Sequence, residues 1–139
     1  MHAPGTLHHV ELYVAALEES LRFWEPFLTK LGYVESQRWE HGSSYSLAGT
    51  YIVFVQVGKE HFEFGYHRKR IGLNHLAFHA ASKVQVDEIT AWVKTSGFTV
   101  LYESLHPHAG GQDCYALYCE DPNRMKVELV APPEVKKNE

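Results

Sequence analysis

The sequence predicts an α+β fold made of two tandem βαβββ modules, and three observations carry that expectation. The first is a strand pattern stated twice. Leu7-His8-His9-Val10-Glu11-Leu12-Tyr13 and Leu73-Asn74-His75-Leu76-Ala77-Phe78-His79 both follow leucine, polar residue, histidine, then alternation. Alternation with period two marks a half-buried strand. The second is a helix pattern after each of these strands, closed in both halves by a glycine, Gly32 and Gly97. The third is a polar residue set between two β-formers late in each half, Val55-Gln56-Val57 and Val127-Glu128-Leu129. His9 and His75 are 66 positions apart and Gly32 and Gly97 are 65, so the halves run in register as an internal repeat.

The elements follow in order. After the strand at His9, Leu17, Leu21, Trp24, Leu28 and Leu31 recur at helical spacing, giving a helix from about Ala16 to Leu31. Ala16 is a weak cap for it, and Pro26 removes one of its backbone hydrogen bonds. Tyr33–Trp39, Tyr45–Leu47 and Tyr51–Val57 read as strands separated by Gly42-Ser43-Ser44 and Ala48-Gly49-Thr50 turns. The first module therefore covers about residues 5–58, and the polar, aromatic segment 59–70 links it to the second, at about 71–131. There Ser82-Lys83-Val84-Gln85 is a capping box, and Val86, Ile89 and Val93 form the apolar stripe of a second helix. Val100–Glu103, Cys114–Cys119 and Lys126–Val130 complete the module as strands, with a loop at 106–111 and an Asp121-Pro122-Asn123-Arg124 turn. Residues 1–134 are read as one domain and 132–139 as a polar tail.

Bulk properties narrow the function classes. Charged residues make up 22% and the formal charge is −4, so there is no electrostatic case for nucleic acid or an anionic membrane surface. No apolar run is long enough for a bilayer span, and no signal-peptide core is evident. Cys114 and Cys119, if on one strand, are about 16 Å apart and face opposite ways, so they cannot bridge each other. A reduced, cytoplasmic protein is the expectation. The histidines at positions 9 and 75 share the less apolar face of their strands and suggest half of a metal site.

Leu7-His8-His9-Val10-Glu11-Leu12-Tyr13-Val14, Phe23-Trp24 with Leu31-Gly32-Tyr33, Asn74-His75-Leu76-Ala77-Phe78 and Glu120-Asp121-Pro122-Asn123-Arg124-Met125-Lys126-Val127-Glu128-Leu129 together resemble the vicinal oxygen chelate superfamily. That is the glyoxalase, bleomycin-resistance and extradiol dioxygenase group. The resemblance spans nearly the whole chain and implies paired modules forming a cupped sheet around a divalent metal. The positions matching the family's ligands are His9, Gln56, His75 and Glu128. Such donors suit Zn²⁺, Ni²⁺, Co²⁺, Mn²⁺ or Fe²⁺. The implied activity is lyase or isomerase chemistry of the glyoxalase I or epimerase kind on a small molecule, with Glu128 or Glu11 moving the proton. Loops that would grip glutathione or coenzyme A are not recognisable. His79 is a candidate proton carrier, and Tyr13, Tyr45, Tyr102 and Tyr115 are candidate pocket liners. Arg68-Lys69-Arg70 reads as a charged linker. The alternative from the same family is a metal-free module that sequesters a drug, as bleomycin-resistance proteins do. An Fe²⁺ dioxygenase or a thiol transferase ranks below both. A homodimer is possible in each case.

Overall fold

The computed structural model describes residues 2–134. Residues 135–139 of the expected tail lie outside them. Two compact units result, dividing between Gly65 and Tyr66, inside the segment read as a linker.

In the first unit, β1 (His9–Val14), α1 (Leu17–Lys30), β2 (Val34–Trp39), β3 (Gly42–Leu47) and β4 (Thr50–Gln56) build one sheet in the order β1-β4-β3-β2. β1 runs parallel to β4 and the other pairs are antiparallel. Residues opposite each other on a ladder point to the same face. Val10, Leu12 and Val14 therefore share a face with Ile52, Phe54 and Gln56. α1 packs against this face, where Trp24, Phe23, Phe27 and Phe54 are fully buried. His9, Glu11 and Tyr13 lie on the other face with Tyr51, Val53 and Val55.

The second unit repeats the order with β5 (His75–His79), α2 (Lys83–Thr95), β6 (Ala116–Glu120) and β7 (Lys126–Val130), in a sheet ordered β5-β7-β6. Its core is Leu117, Cys119, Val127 and Leu129 with Val86, Ile89 and Val93 of α2, all nearly or fully buried. The structure is thus the two-module α+β fold, with two differences. The expected strand at Val100–Glu103 is reduced to a single bridge between Val100 and Cys119. Tyr102 adopts a left-handed backbone (φ 54°), which ends extended pairing and turns the chain into the 106–111 loop. The strand expected from Cys114 begins only at Ala116.

Both helices end as the glycines predict. Gly32 (φ 101°) and Gly97 (φ 82°) take the left-handed turn, and the next residue's N–H bonds back to the helix. Tyr33 N donates to Leu28 O and Phe98 N to Val93 O, each at 3.0 Å. At the start of α2, Ser82 Oγ accepts from Gln85 N at 3.1 Å while Gln85 Oε1 accepts from Ala81 N at 2.7 Å. Among the described residues no helix is long and apolar enough to cross a membrane.

Candidate functional site

The strongest constellation lies on one face of the second sheet. His75 is opposite Lys126 on β7, which is opposite Glu120 on β6. One pleat further along, Ala77, Glu128 and Tyr118 form the next row. His75 Nε2 lies 3.3 Å from Glu128 Oε2, and both side chains are mostly buried.

Each partner is held from behind. His75 Nδ1–H donates to Asn74 Oδ1 at 2.7 Å, which fixes the ring and leaves Nε2 aimed at the carboxylate. Tyr118 O–H donates to the other carboxylate oxygen, Glu128 Oε1, at 2.5 Å. Burial pushes the Tyr118 phenol well above its ordinary range, and the Glu128 carboxylate that it donates to adds to the effect. Tyr118 therefore stays a donor. With Nδ1–H committed to Asn74, Nε2 of the neutral ring presents a lone pair to a carboxylate oxygen. Two acceptors at that separation call for a proton or a metal ion between them.

The 106–111 loop reaches this face. A Cβ on Gly110 would meet the Tyr118 hydroxyl at 2.8 Å and Cys114 Sγ at 3.0 Å, so glycine is what lets the loop approach. His106 in the same loop has its pKa lowered by burial, with nearby Lys94 adding to the effect. His79 shares the His75 face but is exposed. Tyr115 donates to Asp87 at 2.5 Å. Both cysteines are free thiols, and burial raises the pKa of Cys119.

The first unit is different. His9 is exposed, stacks on Tyr51 with ring centroids 4.6 Å apart, and its Nδ1 is 2.9 Å from His8 Nδ1. Glu11 is exposed on the same face, and Tyr13 beside it is 72% exposed. Tyr45 is buried on the opposite, helix-covered face. Among the described residues, neither unit by itself brings three His, Cys, Asp or Glu side chains together around one point.

Gln56 needs correcting as a ligand partner of His9. It sits opposite Val14 and so on the opposite face from His9. Its amide is also occupied: Oε1 accepts from Leu17 N and Nε2 donates to Ala15 O, both at 2.8 Å. Ala16 offers α1 no side-chain cap, and Gln56 supplies one from the neighbouring strand. By ladder position the counterpart of Glu128, two residues past the histidine row, is Val53 and not Gln56. Gln56→Ala should therefore cost about 1–2 kcal/mol in urea denaturation, as an uncapped helix start does, and leave metal content unchanged.

Sequence reasoning missed Asn74, Tyr118 and Lys126. Asn74 was legible as a polar neighbour of His75, but Tyr118 and Lys126 join the site only through strand register.

Comparison with known proteins decides the family. The profile of the Glyoxalase/Bleomycin resistance protein/Dioxygenase superfamily matches residues 6–129. The chain belongs to that superfamily. Within it, the chain is 55% identical over 126 residues to the uncharacterized protein YqjT of Bacillus subtilis (strain 168), covering 91% of this chain and 98% of that one. A crystal structure of a candidate glyoxalase from Bacillus halodurans is also 55% identical, with a TM-score of 0.92 over 93% of this chain and 97% of that one. The lactoylglutathione lyase of Agrobacterium tumefaciens shares the superfamily fold, with a TM-score of 0.64 at 17% identity over 94% and 96% of the two chains.

Proposed function

We propose that this superfamily member is a metal-dependent enzyme for a small molecule, with proton-transfer chemistry of the lyase or isomerase type centred on His75 and Glu128. The observation that carries the reading is the 3.3 Å approach of His75 Nε2 to Glu128 Oε2, with Asn74 and Tyr118 bonded to the far sides of the pair. An imidazole nitrogen and a carboxylate oxygen fit Zn²⁺, Ni²⁺, Co²⁺, Mn²⁺ or Fe²⁺. When bound, such an ion supplies Lewis acidity toward a substrate oxygen.

The chain's own groups do the rest. Asn74 fixes which His75 nitrogen faces the ligand. Tyr118 occupies one oxygen of Glu128 and leaves Oε2 to hold or move a proton. A cytoplasmic homodimer is part of this reading.

The test is metal content of protein purified without chelator or affinity tag, beside His75→Ala and Glu128→Ala. Near-stoichiometric metal in the parent should fall at least about tenfold in each variant, since each removes a donor. Metal retained in both variants, or none taken up by the parent from any of the five ions, would sink the assignment. A second reading is a binding protein without chemistry. Val53 favours it, because the first unit places an apolar side chain where the second places Glu128. Tight binding of an aromatic cation by metal-free protein, with no small molecule consumed, would select that reading.

A further inference from the structure

Among the described residues, Lys126 stands out on the His75–Glu128 face as a charged side chain whose contacts do not explain its charge. Its stem comes off β7 between His75 and Glu120, and its ammonium lies over two phenol rings, 5.5 Å from the centroid of Tyr102 and 5.7 Å from that of Tyr118. It donates to Tyr102 Oη at 3.3 Å. The two rings meet edge to face at 5.5 Å and 72°, forming a notch that holds the lysine. Tyr102 reaches this notch because its left-handed backbone turns the chain there.

Two carboxylates share the face and could neutralise that ammonium, yet both are engaged elsewhere. Glu120, directly opposite Lys126, is bonded to Arg68 at 2.7 Å, with Arg124 3.8 Å away. Glu128, two residues along the strand, is taken by His75 and Tyr118. Among the described residues, then, Lys126 has aromatic faces and a neutral hydroxyl as partners but no carboxylate. Arg68 matters here: without it, Glu120 would be the natural counter-ion. Lys126 is a partly exposed residue whose ammonium is held by cation–π contacts on the same strand face as His75 and Glu128, an arrangement that leaves it open to an anion.

We infer that Lys126, seated on Tyr102 and Tyr118, is a carboxylate-binding residue, and that the ligand is a small acid carrying a second oxygen function. This rests on the proposed role of His75 and Glu128. Lys126 leaves the sheet directly opposite His75 and about 7 Å along the strand from Glu128, a neighbourhood that suits an acid of a few carbons. Its carboxylate takes the ammonium while a hydroxyl or carbonyl oxygen faces His75 and Glu128. Uncharged or cationic substrates are disfavoured at this end of the face.

The test compares lactate with lactamide, which differ in charge but little in shape, by NMR titration of the tyrosine ring resonances. It uses the protein as purified and again after chelator treatment. The parent should bind lactate about tenfold more tightly than lactamide in both states, as expected for one charge-assisted contact. Lys126→Met keeps the stem on the rings and should abolish the preference, and Lys126→Glu should reverse it. Both variants should keep the parent's melting temperature to within a few degrees and its metal content. Equal affinity for the two probes in the parent, or a preference unchanged in Lys126→Met, overturns the inference. The stripped-protein arm separates the two claims. A charge preference that survives there, beside His75→Ala and Glu128→Ala variants that keep their metal, upholds Lys126 and defeats the metal assignment. Loss of metal in those variants with no charge preference anywhere defeats Lys126 alone.

Discussion

Trp24→Ala should lower the stability of the protein by about 3–5 kcal/mol, the usual cost of emptying a buried large aromatic site. Trp24 is fully buried on α1, with its ring against those of Phe23, Phe27 and Phe54. Ring centroids lie 5.1 Å from Phe23, 5.9 Å from Phe27 and 5.0 Å from Phe54 of β4. Phe54 belongs to the strand that faces α1, so the ring joins helix to sheet and cannot be replaced by local collapse. Domains of this size are stable by only about 5–15 kcal/mol, so the loss takes a large share of the total. Denaturant titration followed by far-UV circular dichroism reads it directly. Trp24→Phe should cost much less, because an aromatic ring still fills most of the site. A Trp24→Ala loss below about 1 kcal/mol would mean that α1 contributes little to the fold.

Trp24 also shows why the fold was legible. Its place in the four-three spacing of α1 follows from helical periodicity alone, as does the stripe of Val86, Ile89 and Val93 on α2. Local chemistry fixed the ends as well: Gly32, Gly97 and the Ser82–Gln85 box act within a few residues of themselves. The candidate site is a different matter. His75 and Glu128 were named because the family resemblance implied them and the repeat made them plausible, but Gln56 was matched to Glu128 by a shared motif rather than by a ladder. A strand reverses face at every residue, so a match three positions off lands on the wrong side of the sheet. The sequence did hold a clue, since Ala16 left α1 without a cap and some other group had to supply one. Tyr118 and Lys126 had no comparable signal. They meet Glu128 and Tyr102 through pairings between segments far apart in the chain, and the strand expected at Val100–Glu103 hid the turn that brings Tyr102 there.

Asp121→Ala should cost about 2–4 kcal/mol, because a buried carboxylate that accepts from two backbone donors is removed. Asp121 is 3% exposed, and its Oδ1 accepts from both Asn123 N and Met125 N at 2.8 Å. Asn123 Nδ2 adds a bond to Oδ2 at 3.2 Å. Around it, Asp121 N donates to Met125 O at 3.0 Å and Arg124 N to Asp121 O at 2.9 Å, with Arg124 in the left-handed region at φ 63°. Alanine removes the acceptor, so the buried Met125 N–H is left without a partner that water can replace cheaply and the part-buried Asn123 N–H loses its partner too. Asn in place of Asp keeps an oxygen where Oδ1 stands and should recover most of the loss. The turn joins β6 to β7 and sets the register that puts Tyr118 opposite Glu128 and Lys126 opposite Glu120. A weakened turn should therefore reach the site as well as the stability. In protein that is still folded, Asp121→Ala should lower metal content and the lactate preference together, whereas Trp24→Ala should leave both intact below its unfolding transition. Denaturant titration beside metal analysis separates the two cases. An Asp121→Ala protein within about 0.5 kcal/mol of the parent would show that the turn is held by its backbone bonds alone.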